Sequence, residues 1–167
     1  MISEEAFCKI IQDTWASTLG VAVDRPETAE FSATGALTVC VRITGAWDGE
    51  VRLHCPPQLA RSIAATIFQV ETLKAGSDEI LDALSELIHI IGGNLKALLP
   101  QPVTLSLPSL PDSSDWNQTM PQLQTVCQLT LVSEGQPFVV ALFGTPPATA
   151  IADAPADGEA RVPAGSP

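Results

Sequence analysis

The chain is short of charge, and shortest of positive charge. Charged residues make up 16% of its 167 positions, and 8 Lys or Arg stand against 19 Asp or Glu, a formal net charge of −11. Nucleic acid and anionic membrane both require a basic footprint, so neither is expected as a partner. The acids are scattered, which is the pattern of a solvated surface and not of an acidic tail. No apolar run has the length of a membrane span, because polar residues interrupt every segment. The opening MISEEAFCKI is acidic and amphipathic, without the basic head and apolar middle of a secretory signal, so the cytoplasm is the expected compartment. The four cysteines, Cys8, Cys40, Cys55 and Cys127, are far apart and form no CxxC pair. They read as reduced, buried small hydrophobes. P-loop, nucleophile elbow and dinucleotide fingerprint are all missing, and nothing repeats at a fixed period.

What is present is a core. Apolar residues make up 46% of the chain, enough at this length for one well-buried domain. Residues 3–19 read as a helix capped by Ser3 and ended by Gly20, with Phe7, Ile10, Ile11, Trp15 and Leu19 as its apolar stripe. Val21–Val23 has the look of a short strand. Residues 36–44 alternate with Leu37, Val39, Val41 and Ile43 on one face, and residues 50–55 with Val51, Leu53 and Cys55. GAWDG between them makes a hairpin. Pro56 and Pro57 open a second helix that runs to about Val70. Beyond Pro100, PVTLSLPSL is extended, 112–121 is a polar loop, and 123–132 and 137–143 are strands joined at SEGQ. Strands in hairpins around a helical pair predict an α+β fold, an antiparallel or mixed sheet covered on one face by helices. Residues 1–143 form the predicted domain. Residues 144–167, with 5 prolines and 7 alanines in 24 positions, read as a flexible extension.

The segment carrying most information is SDEILDALSELIHIIGGNLKALLP, Ser77–Pro100, a long helix with Ser77 as its cap. At about 100° per residue, Ile80, Leu84, Leu87, Ile88, Ile91, Leu95 and Leu98 fall on one side. Asp82, Glu86, His89 and Gly93 fall in a narrow stripe on the other. Glu86 and His89, three apart, project from the same surface. Gly92 and Gly93 each cost about 1 kcal/mol relative to Ala inside a helix; one can serve tight packing against the neighbouring helix, the other the approach of a partner. Taken alone, Glu86 reads as a solvated helix residue and His89 as a surface histidine. Glu86-x-x-His89 has the spacing of di-iron bundles, but those need two such motifs and further carboxylates. His54, Cys55 and Cys8 lack zinc-ligand spacing. No metal site of the chain's own is expected.

DALSELIHIIGGNLKALL resembles the signature helix of the CheC/CheX/FliY chemotaxis phosphatases, and most of all the single-unit CheX branch. That family has an acidic or serine residue, Glu four positions on, and Asn three after the Glu. Asp82 and Glu86 match, as does Gly92-Gly93-Asn94 after them. Where the family has Asn, this chain has His89. ITGAWDGEVRL, QLARSIAATIFQ and LSLPSL resemble further blocks in the same order, so the similarity covers roughly residues 1–143. The resemblance implies hydrolysis of the aspartyl phosphate of a CheY-like response-regulator receiver domain in chemotaxis or two-component signalling. Glu86 would engage the receiver's lysine and His89 would take the water-orienting place, with Asp82, Glu86 and Gly93 as the partner-binding stripe. It implies no cofactor of the chain's own, since the magnesium belongs to the receiver. It also implies dimerisation, with sheet edges as the candidate contact. The alternatives are a catalytically impaired receiver-binding module and a structural or assembly domain related to flagellar-switch components.

Overall fold

The computed structural model describes residues 2–111 and 121–146. Helix α1 is Glu4–Leu19; Ser3 Oγ accepts from the Ala6 N–H at 3.1 Å and Gly20 closes the helix in the left-handed region at φ 71°. A hairpin of β1 (Leu37–Gly45) and β2 (Gly49–Cys55) follows, then α2 (Pro57–Phe68), a 3-10 turn at Thr72–Lys74, and α3 (Ser77–Lys96). Strand β3 (Val103–Leu105) precedes the second hairpin, β4 (Gln124–Ser133) and β5 (Gln136–Gly144). Glu134 and Gly135 both have positive φ, 51° and 77°, as a tight primed turn between right-twisted strands requires. The sheet order is β3-β1-β2-β5-β4, and every neighbouring pair is antiparallel. This is the α+β architecture that the sequence predicts.

The helices cover one face of the sheet. Phe7, Ile11 and Trp15 of α1, Leu59 and Ile63 of α2, and Leu84, Leu87, Ile88, Ile91 and Leu95 of α3 share one buried cluster with Val39, Val41, Ile43, Val51, Leu53, Val140 and Leu142 of the strands. Trp15 stacks on Phe138 with ring centroids 4.6 Å apart. All four cysteines are buried and free of disulfides. Burial raises the thiols of Cys40 and Cys55 and lifts Cys127 to about 11, so they pack as neutral thiols and not as nucleophiles.

Several boundaries differ from the sequence reading. Val21–Val23 forms no strand; the chain there meets the sheet through a single bridge between Asp24 and Val132. Helix α2 stops at Phe68 because Gln69 turns left-handed at φ 57°. The cap of α3 is Gly76, not Ser77, and Glu79 Oε2 reaches back to accept the Gly76 N–H at 2.9 Å. The helix ends at Lys96, so Leu98 leaves the apolar stripe and is 51% exposed while Leu99 takes the buried place. Strand β5 extends to Gly144, which pairs with Gly49 and Gln124, and the Thr145 N–H donates to Asp48 O at 3.0 Å. The sheet therefore takes up the first residue of the segment set apart as an extension. The rest of that segment from 147 on, and the loop 112–120, lie outside the described residues.

Strand β2 is buried on both faces. Val51, Leu53 and Cys55 point toward the helices, and Glu50, Arg52 and His54 on the other side are equally withdrawn from solvent. A strand in the middle of a sheet has no edge, and its polar side chains must find partners. Glu50 pairs with Arg52 and, at 3.4 Å, with Arg42; the Arg52 guanidinium lies 5.3 Å from the Phe143 ring centroid. His54 Nδ1 shares a hydrogen bond with Thr38 Oγ1 at 2.9 Å. Burial, with Arg52 nearby as the smaller cause, lowers His54 from 6.5 to about 4.

That shift predicts a pH-dependent stability. The unfolded chain takes up the His54 proton near pH 6.5 and the folded chain only near 4, so stability is full above 6.5 and declines as the pH falls toward 4. The slope approaches about 1.4 kcal/mol per pH unit from this one group. Urea unfolding between pH 6.5 and 5, above the range where most carboxylates titrate, should show the decline, and His54→Gln should flatten it. Equal slopes in both proteins would remove His54 as its cause.

Candidate functional site

Seating the apolar stripe of α3 on the sheet turns the opposite stripe outward. Asp82, Glu86, His89 and Gly93 are all exposed. They occupy positions i, i+4, i+7 and i+11, so neighbouring members have Cβ atoms about 5–6 Å apart and the stripe runs for about 16 Å along the axis. Asp82, Ser85, Glu86 and His89 line a groove of about 850 Å³, whose walls include Phe68 and Gln69 at the end of α2 and Leu107-Pro108 after β3. Among the described residues, no Lys or Arg lines it.

Among the described residues, neither Asp82 nor Glu86 has an ion pair, and Glu86 and His89 do not contact one another. Two carboxylates at i,i+4 repel by a few tenths of a kcal/mol, so an isolated helix would favour a base at one position. The groove thus holds two uncompensated acceptor groups and one imidazole, a donor–acceptor that can hold a water. This donor set suits a cation brought by a partner. Among the described residues there is no group of three His, Cys, Asp or Glu able to hold a metal ion. His54 and Cys55 alternate to opposite faces of β2.

The two glycines divide their roles. A Cβ on Gly92 would lie 3.4 Å from Val41 Cγ1 and 3.6 Å from a Leu105 methyl, so Gly92 sits against β1 and β3. The packing partner is the sheet, not the neighbouring helix that the sequence suggests. A Cβ on Gly93 would meet nothing within 4 Å. Asn94, beside Gly93, is exposed. Sequence reasoning missed the groove walls. Phe68 lies inside the second helix of the sequence reading and Leu107-Pro108 inside the extended PVTLSLPSL, and neither is marked there as a site wall. The only signal in the sequence was a Leu-Pro pair between two serines.

With this geometry in place, comparison with known proteins identifies the class. The profile of the family described as chemotaxis phosphatase CheX matches residues 37–131, more than half of the chain, which includes β1, α3 and most of β4. The chain belongs to the CheX family. No curated protein matches it. Among solved structures, it is similar to the chemotaxis protein CheX of Vibrio vulnificus, with TM-score 0.65 and 13% identity over 84% of this chain and 95% of that one. It is similar to the CheX of Desulfovibrio desulfuricans, with TM-score 0.62 and 14% identity over 83% and 95%. It is also similar to a chain of the CheX–CheY–BeF3–Mg complex of Borrelia burgdorferi, with TM-score 0.62 and 13% identity over 84% and 95%. At these identities the likeness is one of fold. No helix among the described residues is long and apolar enough to cross a membrane.

Gly93 supplies a test of the outward face. Nothing in the fold needs a glycine there, so Gly93→Ala should stabilise the protein by up to about 1 kcal/mol through helix propensity, raising Tm by about 2–4 °C. If the position serves a partner's approach, the same variant should bind that partner less tightly. A fall in Tm on thermal unfolding would show a structural need for glycine that the open space at Gly93 does not reveal.

Proposed function

We propose that this protein is a cytoplasmic protein that acts on phosphorylated CheY-like receiver domains and hydrolyses their aspartyl phosphate. One observation carries the reading: the stripe of Asp82, Glu86 and His89 is exposed in a groove that no Lys or Arg among the described residues lines. An acyl phosphate is already activated. Its in-line hydrolysis needs a placed water and neutralised charge more than covalent help. Water attacks phosphorus, the bond to the aspartyl oxygen breaks, and inorganic phosphate and a free carboxylate result. The receiver brings magnesium and a lysine. On this side Glu86 accepts from that lysine and fixes the approach, Asp82 extends the acidic surface, and His89 accepts a hydrogen bond from the attacking water. The open space at Gly93 lets the partner backbone come near. Self-association through a sheet edge is part of the same proposal.

A second reading is favoured by the residue at position 89, where the family pattern has Asn. An imidazole is bulkier than an amide and reaches differently, and about 1 Å of misplacement can cost 100-fold in rate. In that reading the protein docks on the receiver without hydrolysing it.

Decay of a phosphorylated receiver, followed with and without the protein, separates the two. Under the first reading His89→Ala abolishes the acceleration and His89→Asn keeps or raises it. Glu86→Ala weakens binding or dephosphorylation with little change in Tm, because Glu86 lies off the apolar face. Acceleration by His89→Ala equal to wild type would remove His89 from the chemistry. Binding by both wild type and His89→Asn without acceleration by either would leave the docking reading.

A further inference from the structure

Leu107 is 82% exposed, and lone exposed leucines are ordinary. This one is held in place from both sides. Before it, the Ser106 N–H donates to Arg42 O at 2.9 Å, Ser106 Oγ accepts the Arg42 N–H at 2.9 Å, and that hydroxyl donates to Leu107 O at 2.9 Å. After it, Ser109 and Cys40 exchange both backbone hydrogen bonds, at 2.8 and 2.9 Å. The chain is thus fastened to β1 at residues 106 and 109, and Leu107-Pro108 bulges out between the two anchor points. Proline at 108 removes one N–H and fixes φ, which further stiffens the bulge. The bulge lines the same groove as Glu86 and His89, and so does Phe68, 41% exposed at the end of α2.

We propose that Leu107 and Phe68 are the apolar anchors by which the groove grips its partner, a receiver domain whose cationic centre enters between them. This rests on the receiver reading above and adds which residues set affinity. The charge pattern names the occupant. Among the described residues, the floor offers two unpaired carboxylates and one imidazole and no Lys or Arg, so it fits a domain with a recessed cationic centre and apolar side chains around it, as a receiver with its lysine and divalent ion would be. A polyanion would be repelled. Preorganised apolar side chains around a desolvated polar centre are the arrangement that concentrates binding energy at interfaces. Because the double fastening holds Leu107 before the partner arrives, little conformational freedom is lost on docking.

The test measures the Kd of the full chain for a CheY-type receiver from the same organism, activated with beryllofluoride and magnesium so that hydrolysis does not intervene. Leu107→Ser should weaken binding about tenfold or more, the range expected for a leucine side chain that is buried on binding. Leu107→Met should stay within about threefold of wild type, because Met replaces Leu at similar volume. Phe68→Ser should also weaken binding. Leu73→Ser, which removes a 92% exposed leucine that does not line the groove, should leave Kd unchanged. Circular dichroism and Tm establish that each variant is folded, and Leu107→Met reports on the position should the serine variant not fold. Wild-type binding with Leu107→Ser and Phe68→Ser both within about twofold would overturn the anchors and leave the receiver reading standing. Equal weakening by Leu73→Ser would overturn them as well. Failure of the wild-type protein to bind would bring down the receiver reading and the anchors together.

Discussion

The molecule depends on the seating of α3 against the sheet. Leu84, Leu87, Ile88, Ile91 and Leu95 are fully buried, and each such side chain contributes about 1.5–3 kcal/mol by leaving water. This packing fixes the rotation of the helix about its own axis. Once rotation is fixed, the direction of Asp82, Glu86, His89 and Gly93 has no freedom left. Gly92 marks where the helix backbone faces Val41 and Leu105, and a Cβ there would meet both at ordinary van der Waals distance. Function and stability are therefore written on the same twenty residues in two interleaved patterns, and neither can shift register without the other.

Most of this was legible because a helix converts sequence spacing into direction. The outward stripe follows from about 100° per residue alone, and the structure leaves all four of its members exposed. Spacing failed where a decision depended on chain ends or on distant segments. Leu98 has the right phase for the apolar stripe, but phase has no meaning past Lys96, where the helix stops. Ser77 is a better capping residue than Gly76 in isolation, yet Glu79 already satisfies the Gly76 N–H, so the helix starts one residue earlier than side-chain preference indicates. The alternation of β2 shows which residues face the helices but does not show that Glu50, Arg52 and His54 are buried on the other face. Their burial depends on what lies against that face, where Phe31 approaches His54 and the Phe143 ring lies under Arg52, and alternation along one strand carries no sign of such contacts. The groove walls were illegible for a related reason. Leu107 and Phe68 are 39 positions apart, and only the fold brings them to one groove.

The two faces of the sheet show opposite treatments of charge. Behind β2, Glu50 is held between Arg52 and Arg42, and Arg52 lies over an aromatic ring. Buried ions are tolerable only when paired in this way. In the groove, Asp82 and Glu86 are exposed and unpaired, which costs little in water and leaves both carboxylates available. Of the 8 Lys and Arg of this acidic protein, Arg52 is buried against Glu50 and the partly exposed Arg42 joins them, while among the described residues none lines the groove. A lysine or arginine within reach of Glu86 would occupy the acceptor that, under the proposed receiver reading, the partner's cation would need.

The scarcity of basic residues thus bears on the site itself. If the partner supplies both the metal ion and the lysine, its phosphorylated centre already has its positive charge in place. A second set of cations on this protein would compete for the same phosphoryl oxygens and repel the metal. What remains to be contributed is negative charge to bind the lysine, a group to hold a water, and close approach. Under the proposed receiver reading, Glu86 with Asp82 would provide the first, His89 the second, and the open space at Gly93 the third. The proposed apolar anchors would complete the set, because an acidic groove attracts cations of any kind. Leu107 and Phe68 add a requirement that a free cation cannot meet, a matching apolar rim at a fixed distance from the charge. In that proposal, selectivity for a whole domain over a simple ion would follow from the distance between the apolar contacts and the carboxylates, which the fastening of the Leu107 bulge to β1 helps to set.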